Sequence, residues 1–175
     1  LREDLLTPIA KAWSTDMGVE VASMGVQVHG GMGFMDATLA AQLYKDARIA
    51  PNYEGTNGIP AIDLVGRKLA LGDGVAMGSM IEEVDVTARN ARATNDPQFV
   101  QIAERLETAS AALKEATAWI REKMKTDRDT ALGGATAYLS LAGDVIGGHF
   151  LTRGAIEARS ADPARRGQQL ALAGF

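Results

Sequence analysis

Apolar side chains return every three or four residues through nearly the whole chain, a spacing that predicts helices rather than strands. The first helix is expected over about Arg2 to Val28, with Leu6, Ile9, Trp13, Met17, Val21 and Met24 as its buried line. Pro8 would kink or delay its first turn, and Gly30 to Gly33 would end it. A second helix is predicted from Asp36, a good N-cap, to just before Pro51, with Leu39, Leu43 and Ala47 on one face. A third opens at Thr56 or Asn57, admits Pro60 in its first turn and runs to about Leu71, burying Ile62, Val65 and Leu69. Arg67 and Lys68 suit its C-terminal dipole, and Gly72 can stop it.

Gly72-Asp73-Gly74 is the best internal boundary, dividing the chain into 1–72 and 73–175. A helix over about Val75 to Ala93 follows, then a break at Thr94-Asn95-Asp96-Pro97 that supplies an N-cap and a proline for the next helix. That next helix has the clearest stripe: Ile102, Leu106, Ala109, Leu113, Ala116, Ile120 and Met124, with charges on its other faces. Asp127 to Asp129 makes another break. The segment from Thr130 to Ser160 is rich in glycine and alanine, which points to close helix-helix approach or, alternatively, to backbone contact with a ligand. Asp162-Pro163 caps a short last helix ending near Phe175. The expected fold is all-α, an antiparallel helical bundle with two sub-bundles meeting near Gly72.

Composition narrows the function. The chain has 175 residues, 46% hydrophobic and only 5% aromatic, with net charge −4. A non-specific nucleic-acid binder would be basic, so that class is disfavoured. No apolar run approaches the roughly 20 residues that span a bilayer, and the start has no signal-peptide pattern, so a cytoplasmic protein is expected. There is no cysteine, hence no thiol nucleophile, and only two histidines. His29 and His149 lie far apart in sequence, so no metal site is expected. His149, on an apolar helix, is read as a satisfied core histidine, and His29 as loop packing. The chain opens on Leu1 within a helical pattern and is read as part of a longer protein.

Two short motifs carry the candidate chemistry. Gln27-Val28-His29-Gly30-Gly31-Met32-Gly33-Phe34 is a glycine-rich turn, and Tyr53-Glu54-Gly55-Thr56-Asn57 places one carboxylate in a polar break between helices. A glycine cluster admits close backbone approach to a phosphate, but it also ends helices. A loop carboxylate before a helix can be a base, but it can also cap the helix. Tyr53 is read as a wall beside it. Asp46 and Arg48 are expected to form a structural ion pair.

Together the motifs resemble the C-terminal signature of flavin-dependent acyl-CoA dehydrogenases, a Q-V-x-G-G-x-G-[FY] turn followed by D-x-R-x-x-x-[IY]-Y-E-G-T. The resemblance covers about Leu1 to Leu71, the last three helices of that family's C-terminal domain. It implies that Glu54 is the catalytic base removing the proton alpha to a thioester carbonyl, with the beta hydrogen leaving as hydride to FAD. It further implies that Gly55 lies against the acyl-CoA substrate and that Thr56, Asn57 and Gly58 contact the flavin. Gln27, Val28, His29, Gly30 and Gly31 would reach FAD across a subunit interface. Pro60 stands where the family often has Gln, which removes one flavin-side contact. Residues from Val75 onward resemble the extra helical region of one branch, enzymes similar to 3-methylmercaptopropionyl-CoA dehydrogenase. The resemblance implies a homo-oligomeric enzyme, dimer or tetramer, passing electrons to an electron-transfer flavoprotein, with these residues inactive on their own. Two other readings stand beside it: a non-enzymatic helical oligomerisation module, and a DNA-associated flavoprotein of the same superfamily.

Overall fold

A computed structural model describes residues 1–160 and 163–174. It is 85% helical, with no strand among the described residues. The helices are α1 (Arg2–Val28), α2 (Ala40–Ala47), α3 (Gly58–Gly66), α4 (Val75–Arg92), α5 (Pro97–Thr126), α6 (Arg128–Gly133), α7 (Ala135–Glu157) and α8 (Pro163–Gly174). Short 3-10 turns occupy Gly30–Phe34, Asp36–Thr38, Lys68–Ala70 and Ala158–Ser160. The expected cap at Asp162 and the chain end at Phe175 lie outside the described residues.

α4 and α5 form an antiparallel pair. Its register is set by Arg92 to Glu107 (2.7 Å), Ser110 to Asp85 (2.6 Å) and Arg121 to the Asp73 carbonyl (2.8 Å). Asp96 caps α5 as expected: its carboxylate accepts from the Gln98 amide at 3.0 Å, and Pro97 fills the first helical position. The α5 stripe is inward, with Ile102, Leu106, Leu113 and Ile120 buried. α7 lies antiparallel to α5, tied by a buried bond between Thr117 and Tyr138 at 2.7 Å. One core joins Leu5, Ile9, Leu64 and Leu69 to Met77, Val84, Leu113, Leu139 and Val145. It runs without a gap across the 72–74 turn. A small second cluster around Phe99, Ala103 and Ala155 seats α8.

The segment expected as one helix from 130 to 160 breaks at Gly134, where α6 ends and α7 begins. Close approach accounts for two of its glycines. A Cβ on Gly143 would overlap Trp13, and one on Gly147 would lie 2.9 Å from the same indole. Trp13 is held there by its Nε1–H, which donates to Asp144 at 2.7 Å.

Several faces differ from expectation. α1 buries Leu5, Pro8, Ile9 and Ala12, and nothing beyond them. Val21 and Met24, expected inward, are exposed. The cause is length: 27 residues span roughly 40 Å, and only the first half of α1 opposes the bundle. The second half, with the glycine turn and α2, extends past it as an arm. α2 starts late because Leu39 takes a left-handed conformation after a 3-10 turn, so Asp36 caps no α-helix. Leu39 and Leu43 point outward, and so does Ile62 on α3, where Ala61 and Leu64 are buried instead. Asp46 accepts from Gln42 at 2.6 Å and forms no ion pair with Arg48, since positions two apart face opposite sides of a helix. His149 is buried as expected but not satisfied: neither ring nitrogen has a hydrogen-bond partner among the described residues.

Candidate functional site

Glu54 sits in the polar break between α2 and α3, and its backbone is left-handed, at φ 55°. For a residue with a long side chain that conformation is uncommon and costs energy, and such strain clusters at working sites. Gly55 follows at φ 102°, which only glycine adopts readily. The Glu54 carboxylate is exposed and makes no hydrogen bond or ion pair among the described residues. It therefore caps nothing, and the α3 N-terminus has no side-chain cap. It borders an open cavity of about 410 Å³ that also meets Lys11, Ile59, Pro60 and Lys68. The backbone amides of Glu54, Gly55 and Thr56 donate to no protein carbonyl among the described residues.

One side chain that sequence reasoning passed over holds this loop. Lys11 of α1 donates from Nζ to the Gly55 carbonyl at 2.7 Å, to Asn57 Oδ1 at 2.7 Å and to the Pro51 carbonyl at 3.2 Å. Asn57 in turn donates to the Ala12 carbonyl at 3.1 Å, Thr15 Oγ1 at 2.9 Å and Asp16 Oδ1 at 2.7 Å. The Asn57 side chain is thus fully engaged with α1, leaving only its backbone for a cofactor. Thr56 is exposed and Gly58 half-buried at the start of α3. The available signal for Lys11 was its spacing: Pro8, Lys11 and Thr15 share one face of α1, and that face turns toward the loop.

Gln27, Val28, His29, Gly30 and Gly31 are all exposed, at the far end of α1. From Asp16, which touches Asn57, the helix climbs roughly 16 Å before Gln27. One chain therefore does not bring the two motifs to a single site. Within the turn, Gly30 is required by its φ of 59°, and Gly33 by the Val26 carbonyl packed against it. Gly31 is required by neither, since a side chain there would meet open space. Around these segments lies an unusual run of exposed apolar side chains: Val28, Met32, Phe34, Leu39, Leu43, Ile49, Tyr53 and Ile59. Tyr53, read as a wall, is 67% exposed. Among the described residues no group of three His, Cys, Asp or Glu could hold a metal ion, and no helix is long and apolar enough to cross a membrane.

Two family models match the chain. The model described as acyl-CoA dehydrogenase, C-terminal domain, matches residues 2–70, and the one described as acetyl-CoA dehydrogenase C-terminal like matches residues 80–175. The chain belongs to the acyl-CoA dehydrogenase family. Among its relatives, the 3-methylmercaptopropionyl-CoA dehydrogenase of Ruegeria pomeroyi is 38% identical over 90% of this chain and 26% of that protein. A broad-specificity linear acyl-CoA dehydrogenase of Mycobacterium tuberculosis is 29% identical over 90% of the chain and 26% of its own length. A butyryl-CoA dehydrogenase of Syntrophomonas wolfei is 33% identical over 60% of the chain and 17% of its own length. The chain thus spans about a quarter or less of these relatives.

Proposed function

We propose that this chain is the part of a flavin-dependent acyl-CoA dehydrogenase that carries the catalytic base, Glu54. The observation that carries the reading is the conformation of that residue. A glutamate with no bonding partner among the described residues is held left-handed at the rim of an open cavity, inside the stretch that matches the acyl-CoA dehydrogenase C-terminal domain. The Glu54 carboxylate takes the proton from the carbon alpha to the thioester carbonyl. The free amides of Glu54, Gly55 and Thr56 are placed to hold that carbonyl as negative charge develops on it. A bound FAD would supply the two-electron acceptor for the hydride that leaves the beta carbon. The fit to FAD is favourable at Gly31, whose missing side chain serves no need of this fold and clears room for a ligand, and at exposed Gln27, Val28, His29 and Thr56. Asn57 fits only through its backbone.

The two motifs lie apart in one chain, so Gln27 to Gly31 serve the cofactor of a second subunit in a homo-oligomer. The exposed apolar side chains of the arm meet that subunit and the remaining domains of the enzyme, which also supply the apolar wall a general base needs. We assign residues 1–72 to the catalytic helices and 73–175 to an appended helical region. We place the enzyme in the cytoplasm, delivering electrons to an electron-transfer flavoprotein, and these residues alone are inactive. The test is Glu54→Gln in the intact flavoprotein. Anaerobic reduction of the flavin by acyl-CoA should slow by about 10²–10⁴-fold with flavin still bound. Near-normal bleaching would remove Glu54 as the base.

A further inference from the structure

We propose that Lys11 is a positioning residue for Glu54, acting through the loop rather than on the substrate; the inference rests on reading Glu54 as the base. An ammonium has three donors, and all three of Lys11 are spent on residues 51–57. Two of them go to main-chain carbonyls, Pro51 on one side of Glu54 and Gly55 on the other. Local backbone bonds hold the loop at Asn52 and Tyr53, which donate to Ile49, and at Thr56, which accepts from Ile59, but the amides of Glu54, Gly55 and Thr56 donate to no protein carbonyl among the described residues. A residue held at φ 55° relaxes unless its surroundings over-determine it, and the bracketing bonds from Lys11 do so here.

Fastening the loop to α1 does not by itself require Lys11. The Asn57 amide already binds α1, its two N–H groups shared among acceptors on Ala12, Thr15 and Asp16. What Lys11 adds is a hold on two peptide planes that bracket Glu54, Pro51–Asn52 before it and Gly55–Thr56 after it. Lys11 thereby sets where the carboxylate stands. A general base displaced by about 1 Å loses on the order of 10²-fold in rate without losing its substrate.

The experiment uses the intact flavoprotein and an acyl-CoA that bleaches the wild-type flavin. Limiting reduction rates are measured per bound flavin in anaerobic stopped flow for Lys11→Met, Glu54→Gln and the double variant. Lys11→Met should slow reduction about 100-fold, with flavin content unchanged and substrate affinity within about threefold. The double variant should be no slower than Glu54→Gln, because the two residues act as a unit. A purely structural lysine would lower the melting temperature and leave the rate per bound flavin intact. A fall of less than about tenfold in Lys11→Met therefore overturns the proposal, as does a double variant much slower than Glu54→Gln. If Lys11→Met loses its flavin or does not fold, Lys11→Arg decides on the same tenfold threshold. A planar fork keeps the charge but cannot aim three donors at these three acceptors. Rapid reduction in Glu54→Gln removes the base itself. Slow reduction in Glu54→Gln with fast reduction in Lys11→Met removes only the role of the lysine.

Discussion

Two glycines five residues apart on α7 should respond in opposite ways to alanine. Both lie inside a helix, where alanine is favoured by about 1 kcal/mol. At Gly148 nothing opposes that gain, because the new Cβ would meet Leu106 Cδ1 at 3.9 Å, an ordinary contact. At Gly143 the Cβ would lie 2.8 Å from Trp13 Cβ and closer still to Cγ and Cδ1. These atoms are the root of the indole, so the side chain cannot swing aside without leaving its rotamer. Moving it also breaks the 2.7 Å bond to Asp144. Overpacking of this kind costs about 1–3 kcal/mol and the lost bond about 1 kcal/mol, against the same helix gain. The expected net is a loss of roughly 2 kcal/mol for Gly143→Ala and a gain of about 1 kcal/mol for Gly148→Ala. For a chain of this size these correspond to melting shifts of roughly 4–8 °C down and 2–4 °C up. Thermal unfolding followed by circular dichroism measures both. In a Trp13→Ala background the loss from Gly143→Ala should shrink, because the ring contacts are gone and only the 2.8 Å approach to the Cβ of residue 13 remains. A Gly143→Ala variant as stable as wild type, with Trp13 in place, would refute the argument.

Three further outcomes are expected. Burial first, and then the Arg153 charge, hold the His149 imidazole below its usual pKa; Arg2 adds to this and Glu83 opposes it. Its neutral form is thus favoured by folding, so this contribution is complete above about pH 6.5 and is lost as pH falls through the depressed value. Denaturant midpoints for His149→Leu should show less acid-side decline than wild type, and an unchanged slope would contradict this. Glu54→Asn should raise stability by about 0.5 kcal/mol, because asparagine tolerates a left-handed backbone and no contact is lost; a lower melting temperature would argue against strain at that residue. Asp96→Ala should cost about 1 kcal/mol in urea denaturation through the lost cap of α5, and a neutral result would mean that the cap contributes nothing.

Helix identity was legible because hydrogen bonding within a helix is local, and a spacing of three to four reports it directly. Which face turned inward was less so. On α5 the apolar stripe stands against a bare charged remainder and leaves one choice. On α1 apolar residues occur all round, and the packing of α3 and α7 selected Leu5, Pro8, Ile9 and Ala12 over the longer line ending at Met24. For α2 and the far half of α1 the apolar side chains are there, but Val21, Met24, Val28, Leu39 and Leu43 stay exposed among the described residues. The break at Glu54 could be read because its motif is contiguous; its left-handed backbone could not, since glutamate carries no such preference. The spacing of Lys11 placed it on the face of Pro8 and Thr15, but its partners could not be read because they lie 40, 44 and 46 residues away. His149 was rightly placed inside, but its lack of partners depends on the rings and carbonyls that happen to surround it.

The core that runs across the 72–74 turn has a consequence for inheritance. α1, which bears Lys11, and the segment that follows the Glu54 loop bury Leu5, Ile9, Leu64 and Leu69 in one core with α4 and α7. The later helices carry no part of the proposed chemistry, yet they complete the core in which the earlier ones are buried. Deleting 73–175 would not trim an accessory; it would turn those four side chains to water. Any protein that carries the first segment without the second must therefore have acquired a different cover for the same four positions. Substitutions at Met77, Val84 or Val145, far from Glu54 in sequence, can change the catalytic loop through the support of α1 alone.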